Sequence, residues 1–521
     1  MKFKSGFRYP LIFLILISTL VRAFLAFALE FNNDEVYYWT YALYPDWSYF
    51  DHPPMVGLVI QLFSGNLYFD SEFFIRLGSV VFGAVNTWLV FLIGRRIKDE
   101  LTGWYAALLY TASLYCFIIA GVFILPDTPQ VFFWLLSLYL LIRLLPDKEL
   151  MAKNRHYLLL AGFTIGLAML SKYTSVFLWV GALAFMLFYN RKWFRTKELY
   201  LSILISFVVF LPVIYWNVHN QFISFTYQSE RVGVAKALLR PDFFGTELLG
   251  QFFYNNPVNF ILIVVTLIAV AKKRLTLETS YVRVLLWMSL PSVILFLTFS
   301  WFRSTLPHWT GPAYLSLILL AASYLGSCSS RKNILFPRWI IASLGFLFLV
   351  IVLGYGQINH GWFNLDKKHA GDGQRMGSDD ISLDLYGWEQ MGHKFQKIAE
   401  SDHFFNRMKP DAVLISYRWF PAANLDYYAA RPAGLKMFAV GNLERIHKYH
   451  WINQSRGGLK QGMDAYFITT SHDYKDPVLL YKENFDTILP PDTIAIFRGG
   501  KKAMNAFVFR MKNLKNMPEY N

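Results

Sequence analysis

Apolar residues gather in long, nearly uncharged runs, separated by short polar breaks that hold most of the lysine and arginine. The runs Leu11 to Leu29, Leu201 to Trp216, Phe260 to Ala271, Val284 to Phe299 and Trp339 to Gly354 approach the roughly 20 residues a helix needs to cross a hydrocarbon core. Several are a little short, which predicts tilted or partly re-entrant helices. With the runs near 101–120, 129–145 and 312–327, the pattern predicts a mainly α, polytopic membrane protein with about eleven spans.

The breaks fix a threading. Lys2, Lys4 and Arg8 precede the first run, and the clusters Arg95-Arg96-Lys98, Lys148-Lys153-Arg155, Arg191-Lys192-Arg195-Lys197, Lys272-Lys273-Arg274 and Arg331-Lys332-Arg338 follow in alternate breaks, as the positive-inside rule requires of cytoplasmic loops. Residues 30–74 contain no Lys or Arg and fall outside. Residues 157–190 must leave and return between two basic clusters, so two short helices turning at Ser171 to Thr174 are expected. A last span from Trp339 to Gln357 carries the chain out. Residues 1–357 are then a transmembrane domain and 358–521 a small extracytoplasmic α/β domain. In the latter, Ala412 to Tyr417, Ala465 to Thr470 and Thr493 to Phe497 alternate like strands and Glu389 to Ser401 reads as a helix.

Composition agrees. The 521 residues are 55% hydrophobic and 16% charged, too apolar for a soluble chain of this length. The net charge of +15 is already explained by the cytoplasmic loops, without a basic stripe interleaved with aromatics, so nucleic acid is not an expected partner. Two cysteines, Cys116 and Cys328, imply no disulfide framework. The N-terminal run continues to Leu29 without a convincing small-residue cleavage site and is expected to be a retained helix.

Asp34, Glu35, Asp51, His52, Asp127, Lys172, Arg231, Arg303 and His308 all fall on outer loops or outer helix ends of this threading. A sugar or lipid transporter, the main rival, calls for ionisable groups near mid-span on both halves. A receptor or assembly protein leaves the acidic first loop unexplained. One polar site on one face suits an enzyme at the interface.

The densest segment is Asp34-Glu35-x-Tyr37-Tyr38-Trp39 followed by Tyr49-Phe50-Asp51-His52-Pro53-Pro54. A solvated loop with an interfacial aromatic belt would look similar, but adjacent carboxylates directly after a span are costly unless they bind a cation or exchange a proton. With Pro126-Asp127-Thr128-Pro129, Leu170-Ser171-Lys172-Tyr173-Thr174 and His308-Trp309 before Pro312, these motifs resemble, in the same order, the GT-C type membrane glycosyltransferases related to protein O-mannosyltransferases and to the aminoarabinose and galacturonic acid transferases of lipid A.

The resemblance implies a polyprenyl-phosphate-linked sugar as donor and a lipid, glycan or protein hydroxyl as acceptor, among membrane lipids on the extracytoplasmic side of the inner (plasma) membrane. It places the essential loop acid on Asp34, with Glu35 beside it and Asp127 as a further catalytic candidate. An attacking hydroxyl has a pKa far above neutrality, so a carboxylate must take its proton. The phosphate leaving group is already a stabilised anion and needs cations instead, for which Lys172, Arg231, Arg303 and His308 are available. Lys172 could otherwise snorkel to headgroups, and Arg231 and Arg303 could be interface anchors. Tyr37, Tyr38, Asp51 and His52 are the candidates for substrate contact. A divalent cation on Asp34, Asp127 and one of the histidines fits the donor chemistry, but the spacing is no metal signature and no cofactor is assigned.

Overall fold

The computed structural model describes residues 6–147, 150–151, 154–233, 238–329, 334–369 and 371–517. Lys2, Lys4, Lys148, Lys153, Arg331 and Lys332, which contribute to the threading, lie outside the described residues. The chain forms two compact units: residues 1–27 with 45–350, and residues 28–44 with 351–521. The second therefore takes in part of the first polar loop as well as the C-terminal segment.

The fold is that of a multi-pass membrane protein. Among the described residues, six helices are long and apolar enough to span: Arg8–Ala28, Glu72–Ile97, Lys197–His219, Thr279–Phe299, Pro307–Cys328 and Arg338–His360. Pro241–Tyr254 and Pro257–Ala271 make a seventh if the pair, bent by 102°, is one broken span. Shorter apolar helices follow at Met55–Ser64, Arg155–Ser171 and Tyr173–Tyr189. Fewer full spans than the apolar runs suggest arise because some runs are divided between short helices. The turn expected at Ser171 to Thr174 is one such break: Lys172 is extended (φ −158°, ψ 136°) between two helical segments.

Small residues let the helices of the first unit approach closely. Helix Glu100–Ala112 begins at Asp99, whose carboxylate accepts from the Thr102 amide at 2.7 Å. Its Gly103 lies against Gly94 of the preceding helix so tightly that a Cβ on Gly94 would meet the Gly103 Cα at 2.7 Å. Lipid-facing and central helices separate by burial: 83% of the apolar window of Pro307–Cys328 is covered, against 22% for Arg338–His360.

The second unit is built on a six-stranded sheet of β1 (Val413–Ser416), β2 (Met437–Ala439), β3 (Ala465–Thr470), β4 (Phe485–Ile488), β5 (Asp492–Arg498) and β6 (Lys501–Leu514), ordered β2-β1-β3-β6-β4 with β5 also on β6. The first three are parallel, and β6 is antiparallel to β3, β4 and β5. The expected strands at 412–417, 465–470 and 493–497 and the helix at 389–401, found as Trp388–Phe404, all form. The helix Asn33–Leu43 packs on the short helix Trp419–Leu425 of this unit, where Tyr37 meets Trp419 at 4.9 Å between ring centroids. The Lys448 ammonium donates to the carbonyls of Thr40 and Tyr44 at 2.8 and 2.6 Å, satisfying acceptors at the C-terminal end of that helix. Upstream, Glu30 accepts from the Trp388 amide at 2.8 Å. Burial pushes the Glu30 carboxyl up to about 7, against the opposing pull of the Trp388 and Gly387 amides.

Candidate functional site

Lys172 and Asp127 form the centre of the first unit's polar cluster. The helix Asp127–Leu144 carries Asp127 in its first turn, where a carboxylate complements the helix dipole. Lys172 follows the last residue of helix Arg155–Ser171. Its ammonium donates to Asp127 Oδ2 at 2.8 Å, with both side chains almost fully buried. Asp127 Oδ1 accepts from the Tyr115 hydroxyl, also at 2.8 Å, so both carboxylate oxygens are engaged. Gln130, one turn on, donates to Thr174 and Ser175 at 2.8 and 3.0 Å and ties the Lys172 turn to the same helix.

Tyr115 was not apparent as a site residue. It opens the π-helical turn Tyr115–Ile119, and its ring fills the space beside Gly311, where a Cβ would lie 2.2 Å from the ring. A glycine directly after His308-Trp309-Thr310 is the one trace this contact leaves in the sequence.

A cavity of about 140 Å³ opens beside the pair, lined by His52, Lys172, Tyr173, Thr174, Gln228, Arg231, Phe296 and Trp309. Its position is held by polar ties between the His52 loop and the helix Ile223–Val232. Gln228 donates to the Asp51 carbonyl at 2.6 Å, and Ser224 to the Tyr49 carbonyl at 2.8 Å. The Arg231 guanidinium rests over Trp309 at 4.8 Å and Tyr227 at 5.6 Å from the ring centroids. Among the described residues neither hydrogen bond nor ion pair occupies it, and the one hydrogen bond of Lys172 is to Asp127. Both cations therefore keep donors for an anion in a pocket with an aromatic wall.

His308 is in electrostatic reach of Lys172, Asp127, His52 and Arg231. Its loop is braced from below: Thr305 donates to Glu247 at 2.8 Å, Gln251 to Glu247 at 2.7 Å and Tyr314 to Gln251 at 2.6 Å. Arg303, by contrast, is exposed, gives its Nε hydrogen to the Gly233 carbonyl at 2.7 Å and does not line the cavity. The first unit thus gathers Asp51, His52, Asp127, Lys172, Arg231 and His308, and leaves Arg303 apart.

The remaining candidates belong to the second unit. Helix Asn33–Leu43 starts with a complete capping box: Asn32 Oδ1 accepts from the amides of Asp34 and Glu35, both at 3.0 Å, and Glu35 Oε2 accepts from the Asn32 amide at 3.2 Å. Glu35 is fully buried, whereas Asp34 is exposed. Tyr37 and Tyr38 are 1% and 5% exposed, and Tyr37 packs on Trp419 and His447.

Residues 51–216 match the family model described as dolichyl-phosphate-mannose-protein mannosyltransferase. A curated relative, the lipid A galacturonosyltransferase RgtD of Rhizobium johnstonii, is 24% identical over 303 residues, which are 56% of this chain. The matched part spans 60% of that relative's length. The crystal structure of ArnT from Cupriavidus metallidurans bound to undecaprenyl phosphate superposes over 97% of this chain and 98% of that one, with a TM-score of 0.59 at 14% identity. Its apo form gives 96% and 98%, with a TM-score of 0.58 at 13% identity. The likeness to membrane glycosyltransferases that the loop motifs carry is thus present in family model, relative and fold, and the architecture is of the GT-C type.

Proposed function

We propose that this GT-C-type chain moves a sugar from a polyprenyl-phosphate carrier to a hydroxyl of an envelope glycolipid or glycan on the non-cytoplasmic face of the inner membrane. One observation carries the reading: a cavity with an aromatic wall holds two cations, Lys172 and Arg231, with donors to spare. Beside buried and aromatic groups such donors act more strongly on phosphate than they do in bulk water. The relative acting on lipid A and the neighbour that binds undecaprenyl phosphate support the same donor and acceptor classes.

In this mechanism the acceptor oxygen attacks the anomeric carbon and the bond from that carbon to the phosphate oxygen breaks, with inversion. The electron pair leaves on the phosphate, where Lys172 and Arg231 receive the charge, with His308 alongside. The hydroxyl proton passes to a carboxylate, which we assign to Asp34. Asp127 holds the Lys172 ammonium in place, and Tyr115 holds Asp127. Mass spectrometry of glycolipids and glycans from a deletion strain and its complemented parent tests the reading. Loss of one glycosyl increment from one acceptor is the expected result. A strain whose glycolipids and glycans keep every increment would overturn it. A transporter would leave the bond from sugar to carrier intact, so purified protein that releases free polyprenyl phosphate from the donor separates the two.

A further inference from the structure

Residues 361–380 of the second unit join helix Arg338–His360 to the short turn Ile381–Leu385, and they contain a cluster that plays no part in glycosyl transfer as argued above. Asp366, His369 and Asp379 bring one ligand atom each to within 4.8 Å of one another. His369 Nδ1 lies 2.9 Å from Asp366 Oδ1, 3.6 Å from Asp379 Oδ2 and 3.0 Å from the Ser378 hydroxyl. Asp366 and His369 are buried, and Asp379 is half exposed. The other oxygen of Asp366 accepts from the Gly377 amide, which fixes that carboxylate. Gly377 sits at φ +86°, and a Cβ there would meet Leu383 at 2.6 Å, so the turn admits no side chain.

A simple hydrogen bond between histidine and aspartate does not account for the cluster. One ring nitrogen faces three oxygens, two of them on carboxylates, yet it can give one proton to one of them. Among the described residues, neither Asp366 nor Asp379 has an ion pair with any Lys or Arg. The opposite nitrogen, His369 Nε2, is buried without a hydrogen-bond partner, so the ring is placed by what Nδ1 faces. Donors bound to one ion at about 2.0–2.1 Å and separated from each other by 2.9 and 3.6 Å subtend angles of about 90° and 120°, within the range of a four-coordinate site.

We propose that Asp366, His369 and Asp379 bind a divalent transition metal of the zinc class, with Ser378 or solvent completing the shell. The half-exposed Asp379 gives the ion its route in and closes the site by a side-chain movement. Bound metal ties Asp366 and His369 to Asp379. The ion would serve structure, so the site stands or falls independently of the transfer reaction.

The test uses full-length protein in detergent, stripped with a chelator and titrated with Zn2+ by equilibrium dialysis, with Co2+ absorption as the coordination readout. Wild type should take up one equivalent that His369→Gln and Asp379→Asn each bind about 100-fold more weakly or worse, since even partners outside the ligand set cost 10–100-fold in metal affinity. Asp379→Asn, at a half-exposed position, guards against misfolding as the cause. Equal uptake by wild type and both variants, or no zinc uptake by wild type, overturns the site.

Discussion

Glu35 accepts a hydrogen bond from the Asn32 amide at 3.2 Å, whereas its neighbour Asp34 is engaged in the same cap through its backbone amide and keeps an exposed carboxylate. Two adjacent acids that look equivalent in the sequence therefore have different work. One closes a helix terminus through its carboxylate, and the other enters the cap through its backbone amide alone.

Asp34→Asn should then lower turnover by about 100-fold to 10,000-fold, the usual contribution of a general base, while fold and donor binding persist. Glu35→Gln keeps an acceptor suited to a capping box and should retain turnover, whereas Glu35→Ala removes the acceptor of the Asn32 amide and should lower stability through the cap. Turnover on purified donor, read beside thermal melting, checks all three. If Glu35→Gln is inactive and Asp34→Asn is not, the base is Glu35; if both are active, the transferase reading fails.

Lys172→Ala should weaken donor binding and also destabilise the first unit, because it strands the Asp127 carboxylate in a buried site. Breaking a buried pair from one side typically costs about 3–5 kcal/mol. The double variant Lys172→Met with Asp127→Asn removes both charges and should recover most of that stability without recovering donor binding. Binding of undecaprenyl phosphate, measured alongside melting, distinguishes the two effects. Unchanged donor affinity in both variants would make Lys172 a structural residue only.

Glu30 gives the second unit a pH dependence with a definite sign. Its carboxyl is raised from an ordinary 4.5 to about 7 in the folded chain, so the associated stability is present in full below about 4.5 and is lost as pH rises through about 7. At 1.36 kcal/mol per pKa unit, this amounts to about 3 kcal/mol. Glu30→Gln should flatten the melting profile between pH 5 and 8. A variant with the same slope as wild type would place the titration elsewhere.

A cysteine at Glu444, an exposed position of the second unit, should react with an impermeant maleimide in spheroplasts whose cytoplasm is closed. The background for this measurement is Cys328→Ser, because Cys328 is exposed and Cys116 is buried. Labelling only after lysis would reverse the proposed orientation and remove the donor side assigned above.

Long apolar runs and basic breaks were legible because a membrane imposes one length and one charge rule on every span. The extended Lys172 between short helices followed from the same accounting of charges. Three things escaped. Tyr115 lies within an apolar run, and its role depends on an Asp127 contact that no periodicity encodes. Strand β6 carries Lys501, Lys502, Asn505, Arg510 and Lys512, and its Ala and Met residues have little strand preference, so its pattern does not announce the longest strand of the sheet. The helix Asn33–Leu43 reads as a loop because most of its residues are apolar or aromatic all round, and its burial is supplied by residues 351–521.

That last arrangement sets a timetable for synthesis. Lys448, which closes the end of this helix on the Tyr44 carbonyl, is 404 residues downstream of it. At a translation rate of about 5–20 residues per second, the helix waits about 20–80 s for its partner. During that interval Tyr37, Tyr38 and Trp39 lack the surface that later covers them, as they would permanently in a chain cut short before residue 448. The acidic loop thus cannot mature with the first spans, and its assembly must come near the end of biogenesis, when the aromatic face is most in need of a chaperone or the bilayer surface.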